Sequence, residues 1–281
     1  MPRLRALGLL AALLLGSAAA SAQERVTLPS LDRSAGQAIE LIGFWFAAPD
    51  AKPAPAVVLL HGCGGTYGRK GQLSERTLEY AHLLNENGMH ALVVDSLTPR
   101  GEKELCTQRV GTRRVTQANR RLDALGAVDW LAHRAGVDAQ RIGLMGWSNG
   151  GSTLLAAINR RHDDVSKAAI NPAFAVAFYP GCEYDLKRGF ETRTRLLMLV
   201  GEADDWTAAA PCHELAHATR GTAPEIEGYG GAYHGFDSTA PVRLRADVPN
   251  GVNPGQGVHV GGNAAALAAS RQRLLRFLAQ Q

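Results

Sequence analysis

The chain predicts an α/β fold, a mostly parallel central sheet with helices on both faces and no large lid domain, and three observations carry that prediction. Short apolar runs bounded by turn residues alternate with longer segments whose apolar residues recur at helical spacing. The runs "PAVVLLHG", "MHALVVD" and "RIGLMGW" are apolar almost throughout, as strands covered on both faces must be. Composition stays even along the 281 residues, with no internal repeat, low-complexity tract or linker to divide them.

The first segment, "MPRLRALGLLAALLLGSAAASA", has a basic start, a short Leu/Ala core and a small-residue ending at Ala20-Ser21-Ala22. That pattern predicts a signal peptide over residues 1–22 and an exported, periplasmic or secreted, single domain over 23–281. Its apolar core is too short to favour a membrane anchor. Removing Arg3 and Arg5 takes the formal net charge from +4 to +2. A chain so near neutrality, with no Lys/Arg block, lacks the electrostatic footprint of a nucleic-acid or membrane-surface binder.

From residue 37 the elements follow in order. "QAIELIGFWFA" and "PAVVLLHG" read as strands, "LSERTLEYAHLLNENG" as a helix closed by Gly88, and "MHALVVD" as a buried strand. "RRVTQANRRLDALGAVDWLAHRAG" is a long amphipathic helix, followed by strand "RIGLMGW" and helix "GGSTLLAAINRR". Strands "AVAFYP" and "RLLMLVG", helix "APCHELAHATRG", strand "PEIEGY" and helix "NAAALAASRQRLLRFLAQ" complete the chain. Ligands in such sheets bind beyond the carboxyl ends of the strands.

At one such end stands Gly146-Trp147-Ser148-Asn149-Gly150, a G-x-S-x-G sequence between strand and helix. The glycines permit a sharp turn that exposes the middle side chain above the sheet, which marks Ser148 as a nucleophile. A serine hydroxyl needs a base and an orienting acid on later loops. In "LLMLVGEADDW" the acid is Asp204, by its G-x-x-D placement, with Asp205 as the alternative and the better candidate for a helix cap. The base is His234 in "EGYGGAYHGFD", on the loop just past the last predicted strand and before the last helix. For the oxyanion, the backbone amides of Asn149 and, in "LLHGCGGT", Cys63 are the candidates, with Gly62 the neighbouring alternative. Trp147 and Trp206 flank the site in sequence and are candidate pocket walls. The Gly/Pro/Asn-rich stretch from Asp237 to Asn263 is long enough to form a mobile flap.

All four cysteines lie after residue 22, and an even count in an exported chain suggests disulfides. Three pairings are open. Cys63–Cys106 with Cys182–Cys212 is favoured because each pair would sit on loops after neighbouring strands.

The stretches "HGCGG", "DSLTPRG", "GWSNGG", "YPGC", "GEADDW", "YHGFD" and the closing helix, in this order, resemble a secreted branch of the dienelactone hydrolase family. The resemblance spans nearly the whole chain after residue 22. It implies an α/β-hydrolase fold, and a triad at Ser148, Asp204 and His234. Two departures matter: well-known members carry a cysteine nucleophile where this chain has Ser148, and a glutamate after the early strand where it has His61-Gly62. The family also grips a substrate carboxylate with arginines, for which Arg100 in "TPRG" is a loose match. The expected function is a cofactor-free serine carboxylesterase or lactonase acting on small to medium soluble esters, as a monomer or small homo-oligomer.

Three alternatives stand beside that expectation. An exopeptidase or amidase of the same fold would use the same residues. A zinc protease would use His213-Glu214-Leu215-Ala216-His217, a literal H-E-x-x-H, but positions 220 and 223 of an extended motif are Arg220 and Ala223 and no third ligand follows, so no metal is expected. A non-catalytic binding module would lack at least one catalytic group, and this chain has a candidate for each.

Overall fold

A computed structural model describes residues 23–34, 36–49 and 53–281; the signal peptide expected over residues 1–22 lies outside the described residues. The strands are β1 (Gln23–Ser34), β2 (Gln37–Phe46), β3 (Ala54–Leu60), β4 (His90–Asp95), β5 (Val137–Trp147), β6 (Phe174–Phe178), β7 (Glu191–Thr192), β8 (Arg195–Gly201), β9 (Arg220–Gly221), β10 (Glu225–Tyr229), β11 (Arg243–Arg245) and β12 (Val258–Val260). The helices are α1 (Glu75–Glu86), α2 (Gln117–Ala132), α3 (Asn149–Ile158), α4 (Asp163–Ser166), α5 (Glu183–Arg188), α6 (Ala210–Ala218) and α7 (Ala264–Leu278), with a 3-10 turn at Thr98–Arg100.

The main sheet runs β1-β2-β4-β3-β5-β6-β8-β10. β1 pairs antiparallel with β2, and β2 antiparallel with β4; every pairing from β4 to β10 is parallel. This is the α/β-hydrolase fold.

Alternate side chains of one strand feed two cores. Val58 and Leu60 face a cluster that includes Leu131 of α2, Leu154 of α3 and Leu215 of α6. Val57 and Leu59 face the opposite cluster, with Tyr80 and Leu84 of α1 and Leu274 and Phe277 of α7. A strand apolar at every position is the sequence signature of that two-sided burial.

The helix limits follow capping chemistry. Ser74 accepts from the Thr77 amide at 3.3 Å, Thr116 and Asn119 form a reciprocal capping box, and Asn263 accepts from the Ala266 amide at 3.1 Å. The long helix expected from residue 113 therefore begins at Gln117. Strand β1 was not anticipated, because Pro29 and seven charged or hydroxyl residues blur its alternation.

That missed strand overturns the reading of Arg100. Its guanidinium lies 2.8 Å from Asp32 on β1 and 2.8 Å from both oxygens of Asp123 on α2, and also donates to the Ser96 carbonyl. With a side chain only 9% exposed, Arg100 fastens β1 to α2 instead of meeting a substrate carboxylate.

Both favoured disulfides are present, Cys63–Cys106 and Cys182–Cys212. No helix among the described residues is long and apolar enough to cross a membrane.

Candidate active site

The turn between β5 and α3 bends sharply at Ser148, whose backbone sits at φ 53° and ψ −119°, in the region that favours glycine. Two glycines make room for that bend. A Cβ on Gly146 would stand 2.4 Å from the Gly150 carbonyl oxygen, and one on Gly150 would stand 2.0 Å from the Leu60 carbonyl oxygen. The turn thus presses the start of α3 against the end of β3, which brings the Cys63 loop beside Ser148.

Ser148 Oγ lies 2.8 Å from His234 Nε2, and His234 Nδ1 lies 2.8 Å from Asp204 Oδ2. A carboxylate only accepts, so Nδ1 carries the ring proton and Nε2 keeps a lone pair toward the serine hydroxyl. Three separate strand ends supply these groups, β5, β8 and the loop after β10. Parallel strands place all three at one edge of the sheet.

Of the two neighbouring aspartates, Asp204 is the one that meets His234. Asp204 is buried and accepts from the Trp206 and Thr207 amides at 2.8 and 2.9 Å and from the Thr207 hydroxyl at 3.0 Å. Asp205 instead accepts from the amide and Nδ1 of His259. Thr207, which sequence reasoning passed over, buttresses the carboxylate that reaches His234.

Asn149 follows Ser148 directly, and the loop that carries Cys63 comes close at Gly62, where a Cβ would stand 3.6 Å from that of Ser148. Asn149 is the first residue of α3, where a helical N–H has no acceptor within its own helix. Among the described residues, neither amide donates to a protein carbonyl. The Cys63 loop is fixed by its disulfide and by the Leu105 amide, which donates to the Cys63 carbonyl at 2.7 Å.

The two tryptophans part company. The Trp206 ring packs 4.6 Å from the His234 ring and stays partly exposed, so it borders the site. Trp147 points to the other side of its strand, is 3% exposed, and lies against Tyr80 and Phe178 with its indole N–H donating to Asp237. Trp147 is a core residue rather than a pocket wall.

Three residues beyond His234, the carboxylate of Asp237 is fully buried. It accepts from Tyr80 Oη at 3.1 Å, Trp147 Nε1 at 3.0 Å and Tyr179 Oη at 2.7 Å, with Arg76 3.3 Å away. Tyr179, itself at φ 38°, packs its ring 4.7 Å from that of His234. The signal for this cluster was the aspartate in "YHGFD", but the sequence does not show which donors converge on it.

The stretch expected to be a flap contains the β11–β12 hairpin and is tied down at several points. Asn250 bridges to Gln108 and Val110, the Val252 amide donates to the Asp205 carbonyl, and the Gly261 amide donates to the His234 carbonyl. Asp205, the alternative acid in the sequence, is one of its anchors.

In the H-E-x-x-H helix, His213 pairs with Glu202 at 2.9 Å. Among the described residues no three His, Cys, Asp or Glu side chains are grouped to hold a metal ion.

Residues 42–281 match the model of the dienelactone hydrolase family. A protein of Bacillus subtilis (strain 168) named "Putative hydrolase YtaP" is 30% identical over 130 residues, 42% of this chain and 43% of that protein. The chain thus aligns with less than half the length of that curated relative. Among solved structures, a dienelactone hydrolase-like promiscuous phosphotriesterase from metagenomic libraries shares the fold at TM-score 0.63 and 20% identity, covering 92% of this chain and 98% of that one. Thermogutta terrifontis esterase 2 phosphorylated by paraoxon shares it at TM-score 0.57 and 17% identity, covering 91% and 94%.

Proposed function

The chain belongs to the dienelactone hydrolase family, and on that footing we propose that it is a serine carboxylic ester hydrolase working through an acyl-enzyme on Ser148. The observation that carries the reading is the unbroken contact series from Ser148 Oγ through His234 to Asp204, set on the sharp turn between β5 and α3. His234 Nε2 takes the hydroxyl proton as Oγ bonds to the ester carbonyl carbon. The oxygen that gains charge is met by the Asn149 and Cys63 amides. Collapse expels the alcohol, which leaves with the proton held on Nε2, and water then repeats the sequence to release the acid. Asp204 keeps the imidazole oriented and stabilises its protonated form, with Thr207 and the Trp206 amide holding Asp204 in place.

The substrates are small to medium soluble esters or lactones, for which no metal, cofactor, nucleic acid or membrane is required. Supporting this, the chain between α3 and β6 holds only the four-residue α4, which leaves no room for a lid domain. The two disulfides support export after removal of residues 1–22, and the mature protein is a monomer or small homo-oligomer.

Hydrolysis of p-nitrophenyl acetate and butyrate by the mature protein tests the reading. Ser148→Ala is expected to lower kcat by at least about 10³-fold, with no loss to a chelator. A Ser148→Ala enzyme that keeps its activity would sink it, and faster turnover of amino-acid amides than of esters would move the substrate class to the amidase alternative.

A further inference from the structure

Arg120, in the second turn of α2, is 1% exposed and has no carboxylate partner among the described residues. Asp123, the nearest acid along the helix, is turned to Arg100 and Ser30 instead. The guanidinium meets neutral acceptors. One amino group donates to the Asn149 side-chain oxygen in a close contact, the other to the His61 carbonyl at 2.7 Å, and Nε has no partner. Burial lowers the pKa of Arg120 to about 10, which leaves it charged at neutral pH.

The two acceptors lie on the two segments that supply the oxyanion amides. Asn149 carries the first amide itself, and its carbonyl is held by Thr153 at 2.8 Å and Gln117 at 3.3 Å. His61 precedes Gly62 and Cys63 in the loop that supplies the second. The His61 ring is fitted to that loop: Nε2 can only accept from the Ser96 amide, so Nδ1 donates to the Gly62 carbonyl at 2.7 Å. Burial, reinforced by the nearby Arg120 charge, pulls the His61 pKa well down, so its ring is neutral and does not oppose the guanidinium.

We propose that Arg120 is the positioning residue of the oxyanion site: its fork clasps both segments, holds the Asn149 and Cys63 amides convergent, and adds behind them a positive charge that no carboxylate touches. The proposal rests on the reading of Ser148 as nucleophile. A rigid planar fork with two separated donors suits this task as an ammonium would not. Charge placed in a water-excluded site acts on the developing oxyanion without reorganising during the reaction.

The test compares wild type, Ser148→Ala, Arg120→Met and Asn149→Ala in p-nitrophenyl acetate hydrolysis and in inhibition by an aryl trifluoromethyl ketone. Such a ketone traps serine as a hemiketal alkoxide that needs the oxyanion amides. For Arg120→Met the expected result is a fall in kcat of about 10- to 100-fold, KM within about twofold of wild type, and ketone affinity weakened by the same factor as kcat. Asn149→Ala, which keeps the backbone amide and removes one acceptor of the fork, should lose about three- to tenfold in both quantities. A folded Arg120→Met with wild-type kcat, or one whose kcat falls while ketone affinity holds, overturns the proposal. If Arg120→Met does not fold, Asn149→Ala decides: wild-type values in both assays overturn it. Activity surviving in Ser148→Ala would instead remove the nucleophile reading, whatever the other variants do.

Discussion

Two buried charges flank Ser148, and they are treated in opposite ways. On the α1 and α7 side, Asp237 has its carboxylate ringed by two phenols, an indole and a guanidinium. On the α2 side, Arg120 faces an amide oxygen, a carbonyl oxygen and an imidazole. A charge neutralised at contact distance organises its surroundings and has little field left beyond them. One met only by neutral dipoles still projects its field, at the desolvation penalty of a buried ion. The first arrangement secures the loop that carries His234, and the second faces the place where negative charge would form.

That contrast can be broken by stability measurements. Asp237→Ala strands three donors and Arg76 in the interior, and urea unfolding should register a loss of about 3–5 kcal/mol. Arg120→Met, which replaces an unpaired buried charge by an apolar side chain of similar length, should cost far less in the same experiment. Equal costs would mean that Arg120 is as structural as Asp237.

A third buried charge sharpens the point. Asp185 has the Asn159 amide at 2.7 Å and His162 at 3.9 Å, and burial pushes its pKa up to about 6. Because the folded value lies above the unfolded one, the ionised carboxylate opposes folding. Its stabilising contribution is complete below about pH 4 and lost as pH rises through about 6. Asp185→Asn should therefore raise stability by up to about 3 kcal/mol at pH 8 and leave it unchanged at pH 4, as urea melts at the two pH values would show. The same gain at both pH values would refute the electrostatic account.

How far the sequence revealed all this varies with the reach of the interaction. Strands β3, β4, β5, β6 and β8 were legible because two-sided burial writes itself as unbroken apolar runs, and the serine turn because glycine spacing is a local steric requirement. His234 followed from chain order. Asp204 and Asp205 could only be ranked, since the choice depends on where His259 arrives from fifty-odd residues away. Arg100 was misread because its partner Asp32 stands on a strand whose alternation is blurred. Arg120 gave no signal at all: in the pair Arg120-Arg121 one side chain is interred beside Asn149 while the next reaches Asp164, and helical phase alone does not say which. The Gly/Pro-rich stretch concealed a hairpin because its anchors, Gln108, Val110 and Asp205, come from other loops.

The smallest expected effect concerns the backbone of the proposed nucleophile. Ser148→Gly should abolish hydrolysis yet raise stability by about 1 kcal/mol, read as a shift in the urea midpoint, since glycine occupies positive φ without a side-chain clash. An unchanged midpoint would mean that neighbouring contacts already absorb the strain.

Positive φ at Ser148 also has a bearing on descent. Random replacement filtered by stability alone drifts toward the residue that a backbone position accommodates most easily, and at φ 53° that residue is glycine. Two glycines stand within two residues of Ser148 on either side and a third follows at Gly151, so glycine is freely used in this very turn. A serine standing amid them, against the local steric gradient, is what the proposed nucleophile calls for and what stability alone would not supply.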